Sequence, residues 1–115
     1  MKLTDIWKAK QSPTISFELF PPRSPKAAVN LEIAIDRLSA LRPDFVSVTF
    51  GAGGSTREGS RQLVEKLKIE KGLEVLAFFA GDALVPDDIV AILDDYKTIG
   101  VENVLVVRGG RAQRA

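Results

Sequence analysis

The sequence predicts an α/β fold in which four parallel strands alternate with three crossover helices. Three observations point to it. Four short runs rich in β-branched and aromatic residues, Ile15–Phe20, Phe45–Phe50, Leu73–Ala80 and Asn103–Val107, read as strands. The segments between them carry apolar residues at helical spacing. The strand ends recur at a nearly even step: Glu18 to Thr49 is 31 residues, Thr49 to Phe78 is 29, and Phe78 to Arg108 is 30. That is the length of a βαβ unit, about 30 residues, and right-handed crossovers make such a sheet parallel. Two architectures accommodate the pattern. One is (βα)4, half of a (β/α)8 TIM-type barrel, which needs about 250 residues when whole. The other is a small open sheet with helices on both faces.

The totals narrow the function classes. At 115 residues the chain is read as a single domain over residues 1–115. A net charge of +1 offers no reason to expect a nucleic acid or an anionic membrane as partner. The absence of cysteine removes disulfides and thiolate metal sites, and the absence of histidine removes Ser-His and His-zinc mechanisms. No metal is expected. Met1–Lys10 is charged throughout, and no apolar run approaches the roughly 20 residues that span a bilayer. A soluble, cytoplasmic protein is the expectation.

Taken in order, Thr4 before Asp5-Ile6-Trp7 reads as the cap of a short helix that packs through Ile6 and Trp7, and Pro13 ends it. Ser24-Pro25 fits an N-cap followed by the first helical residue. The helix that follows carries an inward stripe of Leu31, Ile35, Leu38 and Leu41, stopped by Pro43. Gly51–Thr56 is a flexible turn. The next helix, about Arg57 to Lys71, turns Leu63, Val64 and Leu67 inward, with Gly72 as its left-handed terminator. Pro86-Asp87-Asp88 opens the last helix, where the macrodipole favours acids. Ile89, Ile92, Leu93 and Tyr96 form its stripe, and Gly100 ends it. The polar tail, residues 108–115, is expected to fray.

The stretch Ser16–Pro22 holds a carboxylate, Glu18, within an aromatic and apolar run closed by two prolines. Proline cannot donate to a ladder, so the strand ends at Leu19 or Phe20 and Glu18 lies near its carboxyl end. There a charge is costly unless paired, protonated or used, although a rim glutamate can also reach water. Other motifs carry less. Gly51–Thr56 lacks the Lys-Ser/Thr ending of a phosphate loop and does not fit G-x-G-x-x-G. Asp87-Asp88 and Asp94-Asp95 suit a helix start and a solvated face better than a cation site. The arginines at 108, 111 and 114 suit either an anion or a frayed basic tail.

Four segments together resemble the methylenetetrahydrofolate reductase family in order and spacing. They are Phe17–Pro22, Phe45–Ala52, Gly72-Leu73-Glu74 and Val107-Arg108-Gly109. The resemblance covers about Ser12 to Gly110. It implies half of a (β/α)8 barrel, with the site at the carboxyl ends of its strands. It further implies a flavoprotein that uses FAD to carry hydride from NAD(P)H to 5,10-methylenetetrahydrofolate, giving 5-methyltetrahydrofolate in one-carbon metabolism. Glu18 matches the proposed general acid, which protonates the folate so that its five-membered ring opens to an iminium. Thr49 and the Phe78 region match flavin contacts, and Val107, Arg108 and Gly109 match a segment lying along the cofactor. Arg108 suits a phosphate or a flavin carbonyl, since guanidinium offers several charge-assisted donors. Two positions depart from the family pattern. Phe78 or its neighbour Phe79 stands where histidine is common, and Gly110 stands where aspartate usually follows Arg-Gly. With only four strands, the resemblance points to an incomplete or impaired enzyme whose open sheet is completed by self-association. The alternative is a non-catalytic half-barrel that assembles without chemistry.

Overall fold

A computed structural model describes residues 1–49, 57–81 and 84–108. Expectations for Phe50, the Gly51–Thr56 turn, Asp82-Ala83 and the tail from Gly109 to Ala115 lie outside those residues. Four strands, β1 (Ser16–Leu19), β2 (Phe45–Val48), β3 (Val75–Ala80) and β4 (Asn103–Val107), lie side by side in sequence order. Every neighbouring pair is parallel. Helix α1 (Leu3–Ala9) precedes the sheet, and α2 (Pro25–Ala40), α3 (Arg57–Glu65) and α4 (Pro86–Ile99) make the crossovers.

Paired residues in a parallel ladder project to the same side, and successive residues alternate. Phe17, Val46 and Val75 therefore share one face with Leu19, Val48 and Ala77. All but Phe17, which packs against it half-buried, form one buried cluster with Ile35 of α2, Leu63 and Val64 of α3, and Ile92 and Tyr96 of α4. Each fully buried aliphatic side chain in it contributes about 1.5–3 kcal/mol. All three crossover helices thus feed a single layer. A doubly wound sheet would reverse its strand order and carry helices on both faces. Four parallel strands in unbroken order under one helix layer are the arrangement of half a (β/α)8 barrel.

Local chemistry accounts for the element ends. Ser24 caps α2, its Oγ accepting the Ala27 N–H at 3.0 Å, with Pro25 as the first helical residue. β3 starts two residues after Leu73, because the Leu73 N–H is spent on the Leu67 carbonyl at 3.0 Å, closing the preceding helix. That helix widens over Lys66–Glu70 into a π-helical turn, and Gly72 follows with φ 66°. Gly100 ends α4 at φ 99°, its N–H reaching the Tyr96 and Lys97 carbonyls at 3.1 Å.

Four expectations need correction. Thr4 lies inside α1 rather than capping it; the N-cap is Lys2, without a side-chain bond. Trp7 is 52% exposed, and α1 is instead anchored by buried Leu3. Leu41 falls outside the buried stripe because α2 stops at Ala40, which leaves Leu41 68% exposed. Leu93 is also exposed, and Ile99 takes its place beside Ile92 and Tyr96.

Polar ties fasten the amino-terminal end of the sheet. Asn103 is 8% exposed; its Oδ1 accepts the Leu3 N–H at 2.8 Å and its Nδ2 donates to the Met1 carbonyl at 2.9 Å. Asp44 accepts from Lys10 Nζ at 2.6 Å and from the Ile15 N–H at 2.7 Å, joining the α1–β1 connection to the start of β2. On the helix layer, Glu32 pairs with both Lys66 and Lys71. Lys71 also reaches Asp36 at 3.2 Å.

Two predictions rest on these ties. Asn103→Ala leaves the Leu3 N–H without its partner and is expected to lower the unfolding free energy by about 1–3 kcal/mol in a denaturant titration. Amide exchange should accelerate first in α1. The Lys10 ammonium, and then the Ile15 N–H, hold the Asp44 carboxyl below its ordinary value of 3.8. A depressed carboxylate contributes stability above its unfolded pKa and loses it as pH falls through the folded one. Acid titration of the melting temperature should therefore show a component lost below about pH 3.8 that Asp44→Asn abolishes.

Candidate functional site

Helices α2, α3 and α4 cover one side of the sheet; on the other side the amino-terminal end is closed, with Ser47 and Asn103 buried and Asn103 bound to Leu3 of α1, while towards the carboxyl end Leu105 and Val107 are exposed. Strand register places Glu18 level with Ser47, Ser47 with Leu76, and Leu76 with Asn103. Two residues further along, Phe78 is level with Leu105, and Ala80 is level with Val107. Thr49 directly follows Val48, the partner of Ala77, and so comes level with Phe78. Glu18, Thr49, Phe78 and Val107 therefore occupy one face of adjacent strands.

Their positions climb along the strands. Glu18 is lowest, Thr49 and Phe78 are two residues higher, and Val107 is two higher again. Strands in a barrel tilt against its axis, so residues at one height around the rim are staggered in register. An eight-stranded barrel with a shear of 8 shifts by about one residue per strand. From β1 to β4 the climb is four residues over three strands.

Each site residue is held differently. Glu18 is exposed on β1. Phe17 and Leu19, its sequence neighbours, turn to the helix layer, and Phe20 is 63% exposed. The apolar run around Glu18 thus does not enclose its carboxyl in this chain. Thr49 is half-buried and held from both sides: its N–H donates to the Leu19 carbonyl at 3.1 Å, and its carbonyl accepts from Ser60 Oγ at 2.6 Å. Phe78 is half-buried on the open face, whereas Phe79 is buried in the helix layer, so of the two only Phe78 looks into the site. The Val107 carbonyl accepts the Gly81 N–H at 3.3 Å, tying the ends of β3 and β4. Arg108 is exposed just past β4, and strand alternation alone would turn it away from the face of Val107. Gly109 and Gly110 lie outside the described residues.

The site has a floor and an edge of different character. Leu76, Phe78, Leu105 and Val107 form an apolar surface on the β3–β4 side. Glu18, Ser47 and Thr49 place polar atoms on the β1–β2 side. That division suits a flat heteroaromatic group, with apolar contact for its ring faces and hydrogen bonding along one edge. Along the free edge of β1 runs an open groove of about 710 Å³, lined by Glu18, Phe20, Arg23, Asn30, Leu31 and Thr49. Among the described residues no three His, Cys, Asp or Glu side chains gather as a metal would require. No described helix is long and apolar enough to cross a membrane.

Sequence reasoning missed Ser47, Leu76 and Ser60. Ser47 was legible as the polar alternate of Val46 and Val48. Ser60 was legible too, one turn before Val64 and two before Leu67 on the inward stripe of α3, where an apolar residue would be the ordinary choice.

Comparison with known proteins agrees with the geometry. The family model described as methylenetetrahydrofolate reductase matches residues 2–115. The 5,10-methylenetetrahydrofolate reductase of Escherichia coli (strain K12) is 37% identical over 95 residues, covering 83% of this chain and 32% of that protein. The "Methylenetetrahydrofolate reductase (NADH) 1" of Arabidopsis thaliana is 31% identical over 112 residues, covering 95% of this chain and 19% of that protein. The protein of the same name from Zea mays is 32% identical over 94 residues, covering 82% of this chain and 16% of that protein. The chain thus spans about a third of the length of the bacterial relative, where 32% is aligned, and less of the plant ones. The chain belongs to the methylenetetrahydrofolate reductase family.

Proposed function

We propose that the chain supplies the amino-terminal half of a barrel that reduces 5,10-methylenetetrahydrofolate to 5-methyltetrahydrofolate, with FAD as cofactor and NAD(P)H as the source of hydride. The observation that carries this reading is the common face of Glu18, Thr49, Phe78 and Val107 near the carboxyl ends of four adjacent parallel strands. FAD, when bound, would supply the chemistry of hydride transfer between the nicotinamide and the folate. The remaining work falls to side chains. Glu18 stands where a general acid would donate a proton to the folate, opening its five-membered ring to the iminium that is reduced. Thr49 offers a hydroxyl to the polar edge of the flavin. Val107 and Phe78 supply apolar contact to its rings. Arg108, exposed just past the end of β4, would offer charge-assisted donors to a phosphate or a ring carbonyl.

Two positions limit the chemistry. Phe78 can stack but cannot donate a hydrogen bond as a histidine would, and Gly110 cannot bring the negative charge of an aspartate. Reduction by this chain alone is therefore expected to be impaired even where flavin is held. Purified protein titrated with FAD is expected to show a perturbed flavin absorption band. Thr49→Ala and Arg108→Ala should each weaken binding by about tenfold, the cost of one lost hydrogen bond. A chain that leaves the FAD spectrum unchanged at saturating protein would overturn the flavin assignment.

A second reading, a half-barrel that assembles without chemistry, is favoured by the uncovered surface. On the helix side of β4, Val106 is 70% exposed, and Val104 beside it is also exposed. At the opposite edge β1 presents the open groove. Exposed strand edges with apolar flanks invite pairing. Laying β4 of one copy beside β1 of a second continues the parallel order, and a two-fold axis repeats that contact to close eight strands. Native mass spectrometry at micromolar concentration is expected to find a dimer or a higher even oligomer. A monodisperse monomer would rule out completion of the barrel by self-association.

A further inference from the structure

We infer that Ser60 is the positioning residue for Thr49, and that the first turn of α3 sets the rim on which Glu18 and Thr49 stand. The inference rests on the flavin-site reading above for its functional consequence, and on geometry alone for its structural one.

Ser60 is 1% exposed and lies on the inward face of α3, in line with Val64 and Leu67. A hydroxyl in that position costs free energy unless it is hydrogen-bonded. It donates to a well-placed acceptor, the Thr49 carbonyl at 2.6 Å, eleven residues back along the chain. Thr49 is the first residue beyond β2, so the sheet holds it less firmly than the residues before it. Its N–H is still fastened to β1 through the Leu19 carbonyl at 3.1 Å. With Ser60 on its carbonyl, both peptide groups flanking its Cα are fixed, and with them the direction of its Cα–Cβ bond.

The residue beside Ser60 acts on the neighbouring strand end. A Cβ on Gly59 would come to 3.3 Å from Pro21 Cβ, so the turn sits against the segment that follows β1. Pro21 is buried and lies three residues after Glu18. Adjacent residues of one helical turn thus press on the end of β1 and hold the end of β2, the two strands that supply the polar edge of the site. Shape alone would have been met by an alanine at position 60. The hydroxyl is what ties helix to rim.

The test is made on the purified 115-residue chain. Ser60→Ala, Ser60→Thr and, as a control in the same core, Ile35→Val are followed by two readouts. The first is NMR of Thr49: its carbonyl carbon shift, which reports the hydrogen bond, and its ³J couplings, which report the χ1 rotamer. The second is FAD affinity by titration. Ser60→Ala is expected to move the carbonyl resonance upfield, average χ1 and weaken FAD by about tenfold. Ser60→Thr, which keeps the hydroxyl, should restore all three. Ile35→Val, which loosens the core and leaves the Ser60 hydroxyl in place, should match the parent chain in each. If Ser60→Ala does not fold, Ser60→Cys takes its place, since it fills the volume with a weak donor. An unchanged Thr49 carbonyl shift and χ1 in that variant, or the same changes in Ile35→Val, would overturn the inference. Failure of the parent chain to bind FAD would count against the flavin reading, and the NMR readout alone would then decide the role of Ser60.

Discussion

Parallel pairing of Leu19 with Val48, and of Val48 with Ala77, sets the side of the sheet on which every other residue falls. Side chains in a strand alternate without exception, so once these small and branched residues are committed to the helix layer, their neighbours must face the other way. Glu18, Ser47, Thr49 and Phe78 are on the open face because Leu19, Val48, Ala77 and Phe79 are not. A register slip of one residue in β1 would bury Glu18 under α2 and expose Leu19. The hydrophobic effect thus places the polar residues of the site indirectly, by claiming the alternate positions.

The two ends of the sheet carry different burdens. At the amino-terminal end the ties are polar, local to that end and long-range in sequence. Asn103 holds α1, Asp44 holds the entry to β1, and Glu74 pairs with Lys68 at 3.0 Å and with the Met1 ammonium at 2.6 Å. Such bonds hold the base of the strands, the end that in barrels serves stability. At the carboxyl-terminal end, among the described residues, the supports come from α3. Ser60 on the Thr49 carbonyl and the close approach of Gly59 to Pro21 bring α3 against two strand ends at once. This end is held through its backbone, which leaves the Glu18 and Thr49 side chains on the face away from α2, α3 and α4.

What the sheet lacks is cover for β4 and a partner for β1. The inner strands β2 and β3 are paired on both sides and buried on the helix face. β4 keeps apolar side chains exposed on both of its faces. The bacterial relatives are about three times as long as the matched region, which covers 32% of the Escherichia coli protein. In a chain of that length further strands can follow β4. The edge residues of this chain have the apolar composition that strands covered on both faces carry. The same openness explains why Glu18 meets solvent here.

The sequence by itself determined the element types, their order and the terminators. Ser24-Pro25, Gly72 and Gly100 act through their own backbone and side-chain chemistry, which needs no distant partner. Near-even spacing of about 30 residues was enough to read four βα units, and the family motifs were legible as they stood. Periodicity erred where burial depends on what a helix meets: Trp7, Leu41 and Leu93 have the character of core residues but stay 40–68% exposed. Thr4 looked like a cap because its side chain can serve as one, yet Asn103, some hundred residues away in the chain, draws the helix start back to Leu3. The choice of Phe78 over Phe79, the stagger of the rim and the tie from Ser60 to Thr49 were settled only by tertiary structure. Each depends on strand register and helix docking, and those are fixed by contacts between residues far apart in sequence, which no local pattern encodes.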